Sequence, residues 1–180
     1  GRPLWPIEER AVPASDVPGE VASATQPYPL GMPMLVPQGV SLDDATDLTP
    51  ELHEEALAVL RKLRLGPLYT PPSLEGTLQR PGLEGGADWG GGAFDPATST
   101  LYVKVNNAPE IVYPDLTDAN GDVPAVGPND SSELSVTLRH RIPILKPPYA
   151  FLDAVDLAHG RMRWQVPFGD DAAIRRHKAL

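Results

Sequence analysis

One stretch of this chain has apolar residues at helical spacing, and it predicts a helix over residues 50–64. The apolar positions on one face are Leu52, Ala56, Val59, Leu60 and Leu63. Thr49 is a suitable N-cap and Pro50 suits the first helical position, while Gly66 and Pro67 end the pattern. Glutamates near the start and basic residues near the end complement the helix dipole.

Elsewhere the apolar runs are short and are separated by turn residues, which predicts strands. Residues 85–103 combine a glycine-rich turn, an apolar pair, a polar turn and a β-rich run, so they predict a hairpin with a polar entry loop. A second hairpin is predicted from residues 151–156 and their return strand 161–166. Further short strands are predicted at residues 68–70, 136–138 and 142–145. This pattern predicts a sheet-based fold.

The first 50 residues are punctuated by prolines, which occur too often for a helix or a central strand. We expect this segment to run extended over a surface, held by apolar residues such as Trp5 and Tyr28, with a disordered tail as the alternative. The chain also contains an internal repeat, in which a glycine at a turn is followed four residues later by a tryptophan expected inside a strand, at Gly1–Trp5 and again at Gly160–Trp164. Repeated strand–turn–strand units of this kind are typical of β-propeller blades.

Composition narrows the function classes. The formal net charge is −9, and the one cluster of basic residues lies near the C-terminus (Arg161, Arg163, Arg175, Arg176 and Lys178), so nucleic-acid binding is disfavoured. There is no cysteine, which excludes disulfides and thiolate metal sites. No apolar run approaches the length of a membrane span. Because Gly1 is not a natural start, we expect the chain to be a piece of something longer.

The glycine-rich turn carries the candidate functional residues, Asp88 and Trp89. Glycines let a backbone approach a partner closely, and tryptophan offers a flat face on which a planar ring can stack. A flat, polar ligand could therefore bind here. Two plainer interpretations stay open: Asp88 as an Asx-turn residue that bonds its own backbone, and Trp89 as a core side chain.

Other candidate motifs carry less information. Residues 118–122 alternate oxygen-bearing side chains as calcium loops do, but Val123 stands where such a loop needs glycine, and a plain turn is favoured. Asn129 begins a triplet that fits a glycosylation acceptor. The histidines have no ligand spacing, and His53 is interpreted as a solvated residue of the first helical turn. No serine lies in a nucleophile elbow, and no carboxylates are paired for acid–base work.

Several stretches, in order along the chain, together resemble the quinoprotein dehydrogenases, and most of all the glucose dehydrogenase type that uses pyrroloquinoline quinone (PQQ). They are residues 5–10, 15–20, 25–29, 47–51, 70–76, 85–96 and 146–164. The resemblance implies an all-β fold, a partial eight-bladed β-propeller with long proline-rich loops and one inserted helix near residues 50–64. It implies a single incomplete propeller segment over residues 1–180: an extended connection (1–48), a helical section (49–66) and blade segments (67–180).

The resemblance also implies a function. The family oxidises sugars or alcohols in the periplasm with PQQ and a Ca²⁺ or Mg²⁺ ion, and passes electrons to a quinone or cytochrome. Its catalytic aspartate and metal ligands have no counterpart in this chain, so activity from these residues alone is not expected, and other chains could complete the propeller. The alternative is a non-catalytic, propeller-derived module for binding or assembly.

The implied cofactor contacts are Asp88 and Trp89, because the family's Gly-Gly-Ala-Asn-Trp turn corresponds to residues 85–89. Asp88 replaces an asparagine that faces the cofactor. An ionised carboxylate loses the amide donor and repels the carboxylates of PQQ. Two further departures are His159, where the family usually has threonine, and Ala150, where glycine is usual.

Overall fold

A computed structural model describes residue 3 and residues 5–114 and 136–177. Within these residues the strands are β1 (Ile7–Ala11), β2 (Thr25–Pro29), β3 (Thr77–Gln79), β4 (Gly92–Asp95), β5 (Thr100–Asn106), β6 (Glu110–Val112), β7 (Ala150–Asp156) and β8 (Arg161–Pro167). The α-helices are α1 (Pro50–Leu60) and α2 (Ala172–Arg176), and neither is long and apolar enough to cross a membrane. The predominance of strands confirms the predicted all-β character.

The central element is a four-stranded antiparallel sheet in the order β4-β5-β7-β8. It contains both predicted hairpins, and the pairing of β5 with β7 joins them. Four antiparallel strands in simple sequential order are the make-up of one propeller blade. In the described part of the chain the sheets do not close into a ring.

The two faces of this sheet differ in how they are covered. Alternation of side chains places Val103, Val105 and Phe151 on one face, where they pack against Val36. The other face carries Tyr102 and Trp164, whose ring centroids are 5.9 Å apart, and Val166 beside them. Tyr102 is 37% exposed, Trp164 42% and Val166 43%. The part of this face around Tyr102, Trp164 and Val166 is apolar and partly exposed among the described residues, as expected where propeller blades pack against their neighbours.

A second core surrounds α1. The backbone N–H of Leu52 donates to the Thr49 hydroxyl oxygen (3.3 Å), which confirms the predicted N-cap. The helix ends at Leu60 rather than at residue 64, because residues 61–63 turn and bury Leu63. The residues of this core are Val40, Ala45, Leu52, Ala56, Leu60, Leu63, Leu78, Leu138, Ile142, Ile144 and Leu145.

The proline-rich segment is more ordered than the sequence suggested, because β1 and β2 form an antiparallel pair within it. Prolines 27 and 29 are tolerated because a two-stranded sheet has only edge strands. Trp5 lies before β1 and outside any strand, which corrects the expected position inside one. Its indole packs on Gly160, where an added Cβ would be 2.7 Å from Trp5 Nε1. Trp5 of the first glycine–tryptophan repeat therefore contacts Gly160 of the second.

Several predicted elements were wrong. Residues 68–70 form a turn closed by the Thr70 N–H on the Pro67 carbonyl (3.1 Å). Residues 136–138 and 142–145 do not form strands: they pair with each other only through an isolated antiparallel bridge, and their apolar side chains pack in the core around α1. Instead, β3 and β6 pair in segments for which no strand was predicted.

The candidate calcium loop at 118–122 and Asn129 lie outside the described residues. His53 is half-buried, with its ring Nδ1 3.0 Å from the Thr46 carbonyl oxygen, so its interpretation as a solvated residue was wrong.

Candidate ligand groove

The loop that carries Asp88 and Trp89 is anchored at its base. The Gly82 N–H donates to the Ala108 carbonyl (2.9 Å), and the Asn106 N–H at the end of β5 donates to the Gly86 carbonyl (2.7 Å). The Leu83 N–H donates to the Glu110 carboxylate (2.7 Å). These bonds fix the loop against β5 and β6, so its tip projects from a defined position.

Glycines make this close approach possible. An added Cβ at Gly86 would be only 3.2 Å from the side chains of both Val105 and Val36, so the loop backbone lies directly on the sheet core. Gly91 has a φ of +55° and its N–H donates to the Asp88 carbonyl (3.0 Å), which closes the turn at the tip. The predicted glycine-rich entry loop therefore folds as a tight, anchored turn.

Asp88 and Trp89 point away from the protein body. Trp89 is 98% exposed, so it is not a core residue. The Asp88 carboxylate is exposed and makes no hydrogen bond or ion pair with the described residues, so it is not the acceptor of an Asx turn. Both plainer interpretations fail in this structure. Contact of these two side chains with a cofactor stays a prediction.

A groove of about 490 Å³ runs beside the turn. It is lined by Leu83, Glu84, Gly85, Gly86, Asp88, Trp89, Gly90, Lys104 and Asn106. Among these residues Lys104 is the cation, and Glu84 and Asp88 are the acidic residues that line the same groove. Sequence reasoning missed Lys104, although alternation along β5 places it on the face opposite Val103 and Val105.

This arrangement suits one kind of ligand. The indole of Trp89 can stack on a planar ring, the Lys104 ammonium can pair with an anionic group, and the two carboxylates can accept hydrogen bonds. In the described ranges, no cluster of three or more histidine, aspartate or glutamate side chains could hold a metal ion. The groove therefore has the chemistry of an organic-ligand surface.

The far end of the sheet contains a contrasting acidic residue, Asp156, whose side chain is 1% exposed. Its carboxylate accepts hydrogen bonds from the backbone N–H groups of Ala158 (3.1 Å) and His159 (3.3 Å). It also accepts from the His159 ring (2.9 Å) and from the Arg161 guanidinium (3.2 Å), and Arg163 lies 3.4 Å away.

Desolvation opposes ionisation of Asp156, but the hydrogen bonds from His159 and Arg161 and the charge of Arg163 outweigh it and lower the pKa to about 2. His159, a departure from the family pattern, thus has a structural partner. This cluster fixes the β7–β8 turn and is not open to a ligand.

Comparison with known proteins finds one matching family and several similar dehydrogenases. Residues 1–179 match the family described as PQQ, the glucose/ethanol/alcohol dehydrogenase β-propeller domain. The quinate/shikimate dehydrogenase (quinone) of Acinetobacter baylyi is 29% identical over 186 residues, covering 94% of this chain and 23% of that protein. The glycerol dehydrogenase large subunit of Gluconobacter thailandicus is 28% identical over 195 residues, covering 94% and 26%.

A third relative, the quinoprotein glucose dehydrogenase of Gluconobacter oxydans, is 26% identical over 191 residues, covering 92% of this chain and 23% of that protein. The chain therefore spans about a quarter of the length of these curated relatives. No solved structure matches it significantly.

Proposed function

We propose, from the premise that this chain belongs to the PQQ-dependent glucose/ethanol/alcohol dehydrogenase β-propeller family, that it supplies one wall of a PQQ site. Membership confirms the resemblance and the β-propeller class predicted from the sequence. The enzyme as a whole would oxidise a hydroxyl compound, a sugar or an alcohol, as the names of the relatives that act on glucose and glycerol suggest.

The observation that carries this proposal is the exposed indole of Trp89 on an anchored loop, beside Lys104. Folding gains little from an indole that is 98% exposed, so its position on a rigid turn favours a role in binding. PQQ is planar and bears carboxylates, so it fits the indole face and the ammonium of the groove. When bound, PQQ supplies the two-electron acceptor for substrate oxidation.

Within this site the chain's own residues would bind and orient. Trp89 would hold the plane of the ring, Lys104 would pair with a cofactor carboxylate, and Asp88 would limit affinity through charge repulsion. The general base and the ligands for Ca²⁺ or Mg²⁺ would come from segments other than the described residues.

The organisation of the intact enzyme is also a proposal. Residues 1–180 would form one propeller segment, made of a connection (1–48), a helical section (49–66) and blade segments (67–180). The uncovered face around Tyr102 and Trp164 supports packing of a further blade against this one. We place the enzyme in the periplasm, where it would pass electrons to a quinone or cytochrome.

The test is equilibrium dialysis of PQQ against this chain with and without Ca²⁺, comparing wild type with Trp89→Leu. Loss of the stacking of a planar ring on an aromatic side chain costs about 1–3 kcal/mol of binding free energy. The affinity of Trp89→Leu for PQQ should therefore fall by about fivefold or more. The melting temperature should not change because the indole is exposed. Phe94→Leu is the matched control, an exposed ring on β4 outside the groove, and should bind PQQ as wild type does.

The proposal fails if wild type does not bind PQQ saturably, or if Trp89→Leu binds it as well as wild type. In that case the second candidate function gains support, a non-catalytic propeller-derived module for binding or assembly. The apolar face of Tyr102, Trp164 and Val166 favours it. Self-association that is abolished by Trp164→Glu, without PQQ binding, would be its signature.

A further inference from the structure

A separate cavity, of about 1040 Å³, lies between α2 and the turn at residues 138–142. Four of the side chains that line it carry or can carry positive charge: His140, Arg141, Arg176 and His177. In a chain with a net charge of −9, this concentration of basic groups around one cavity points to an anionic ligand. None of its lining residues lines the groove beside Trp89, so the two spaces are distinct.

The fold divides the basic cluster that the sequence places near the C-terminus. Three of its arginines are ion-paired with aspartates, namely Arg161, Arg163 and Arg175. The guanidinium groups of Arg176 and Arg141, in contrast, make no hydrogen bond or ion pair with the described residues. Both therefore have their N–H donors available to a ligand in the cavity.

The remaining ionisable groups of the cavity wall are engaged within the fold. Asp171 caps α2, because its Oδ1 accepts from the N–H groups of Ala173 (2.8 Å) and Ile174 (2.9 Å). The rings of His140 and His177 are in edge-to-face contact, with centroids 5.6 Å apart. This contact joins the turn to the end of α2, so the basic groups of the two elements face one cavity.

The backbone of the turn adds a second argument. His140 and Arg141 have φ angles of 59° and 62°, in the left-handed region that favours glycine and asparagine. The turn is closed by the Leu138 N–H on the Ile142 carbonyl (2.7 Å) and by the Arg141 N–H on the Leu138 carbonyl (3.1 Å). Because Arg141 is exposed, folding gains little from an arginine in this conformation. Residues held in such backbone conformations cluster at functional sites.

We propose that this cavity binds a phosphate group, held by the guanidinium groups of Arg141 and Arg176. Guanidinium groups bind phosphate oxygens through paired, charge-assisted hydrogen bonds. A phosphate dianion has enough oxygens to accept from both arginines at once, whereas one carboxylate would leave donors unused. The cavity is also large enough for the rest of a small phosphate ester. The site goes beyond the proposed function, and its test requires no PQQ.

The test is isothermal titration of inorganic phosphate into this chain at about pH 7 and about 0.1 M NaCl, where weak non-specific attraction is screened. Arg141→Asn should bind phosphate about fivefold or more weakly, because a charge-assisted hydrogen bond is lost. The same variant should melt at the same or a higher temperature, since asparagine adopts a positive φ more readily than arginine does. An arginine with only a structural role would not produce this combination.

Arg176→Gln should weaken phosphate binding to a similar extent, because it removes the second guanidinium group of the cavity. Arg61→Gln is the matched control. It removes the same charge from an exposed arginine that caps the end of α1 and does not line the cavity, so it should bind phosphate as wild type does.

Two further probes define the ligand. Saturable binding of glycerol 3-phosphate that is tighter than that of inorganic phosphate would assign the site to phosphate esters, and the reverse order would assign it to the free ion. Acetate at the same concentration should not displace phosphate. The proposal is overturned by the absence of saturable phosphate binding, by displacement with acetate, or by equal losses of affinity in Arg141→Asn and Arg61→Gln.

Discussion

Two turns of this molecule each place an aspartate beside tryptophan, and they use it in opposite ways. At the β7–β8 turn, Asp156 is 1% exposed and is held by two backbone N–H groups, the His159 ring and two arginine side chains. At the turn before β4, Asp88 is exposed and bonds to none of the described side chains. The charge of Asp156 stabilises the first turn, whereas the charge of Asp88 in the second turn is available to a ligand.

The tryptophans follow the same division. Trp5 packs on Gly160 of the β7–β8 turn, and Trp164 packs on Tyr102 across the sheet. Trp89 is 98% exposed. The comparison teaches that a side chain held by contacts within the fold belongs to the scaffold. One placed rigidly but left without partners is the better candidate for ligand contact.

The largest effect on unfolding free energy is expected from Gly160→Ala, because Gly160 lies in the contact between Trp5 and the β7–β8 turn. The new Cβ would lie 2.7 Å from Trp5 Nε1 and 2.8 Å from the Gly31 carbonyl oxygen, at a φ of +62°. Overpacking and left-handed strain together should cost about 2–4 kcal/mol of unfolding free energy. Urea denaturation measures it.

Gly19→Ala separates the two contributions to that cost. Gly19 has a similar φ of +85° but no atom within 4 Å of its would-be Cβ, so only backbone strain of about 1 kcal/mol is expected. Equal losses for the two variants would contradict the packing of Trp5 on the β7–β8 turn.

An intermediate effect on unfolding free energy is expected from Asp156→Asn, and the size of this effect should depend on pH. The folded state holds the Asp156 pKa at about 2, below its ordinary value of 3.8. The unfolded state therefore binds more protons between these pH values, so this stabilisation is present above about pH 4 and is lost as pH falls through about 2. Asp156→Asn should be less stable than wild type at neutral pH and should lack this part of the acid slope.

Thermal unfolding between pH 2 and pH 7 measures the effect, with Asp43→Asn as the control at an exposed carboxylate. The control should keep the wild-type slope. An Asp156→Asn protein with an unchanged slope would show that the buried cluster does not hold the turn.

The smallest effect on stability is expected from Asp88→Asn, which restores the amide of the family turn. Unfolding free energy should change by no more than about 0.5 kcal/mol, because the side chain is exposed and unpartnered. PQQ should bind about fivefold more tightly at low salt, since one repulsive charge near a carboxylate costs about 1 kcal/mol in water. The gain should shrink as salt is added.

Dialysis at two salt concentrations measures this change, and Asp16→Asn, a carboxylate distant from the groove, is the charge-matched control. Weaker binding by Asp88→Asn would mean that the carboxylate itself holds the ligand, contrary to the repulsion argument.

Local patterns accounted for much of the fold. The Thr49 cap and the two hairpins were predictable because caps, alternation and tight turns act over a few residues. The pairing of β5 with β7 was not, since the partners are distant along the chain and nothing local selects them. Ile142 and Ile144 resembled a strand because a buried apolar run looks alike in a strand and in a core loop.

The candidate site divides in the same manner. Asp88 and Trp89 were predictable because glycines mark their turn. Lys104 could also have been predicted as a site residue, because strand alternation places it on the opposite face from Val103. The cavity of about 700 Å³ that Tyr149 and Lys104 line was beyond sequence reasoning, since it forms only where the ends of β5, β7 and β8 meet α2.

Amide hydrogen exchange of this chain with and without saturating PQQ tests the central claim most directly. Binding should increase protection at residues 82–91 and 104–106, and should leave the β7–β8 turn at residues 156–164 unchanged. Protection that appears at residues 156–164 but not at residues 82–91 would contradict the division between a ligand-binding turn and a purely structural one.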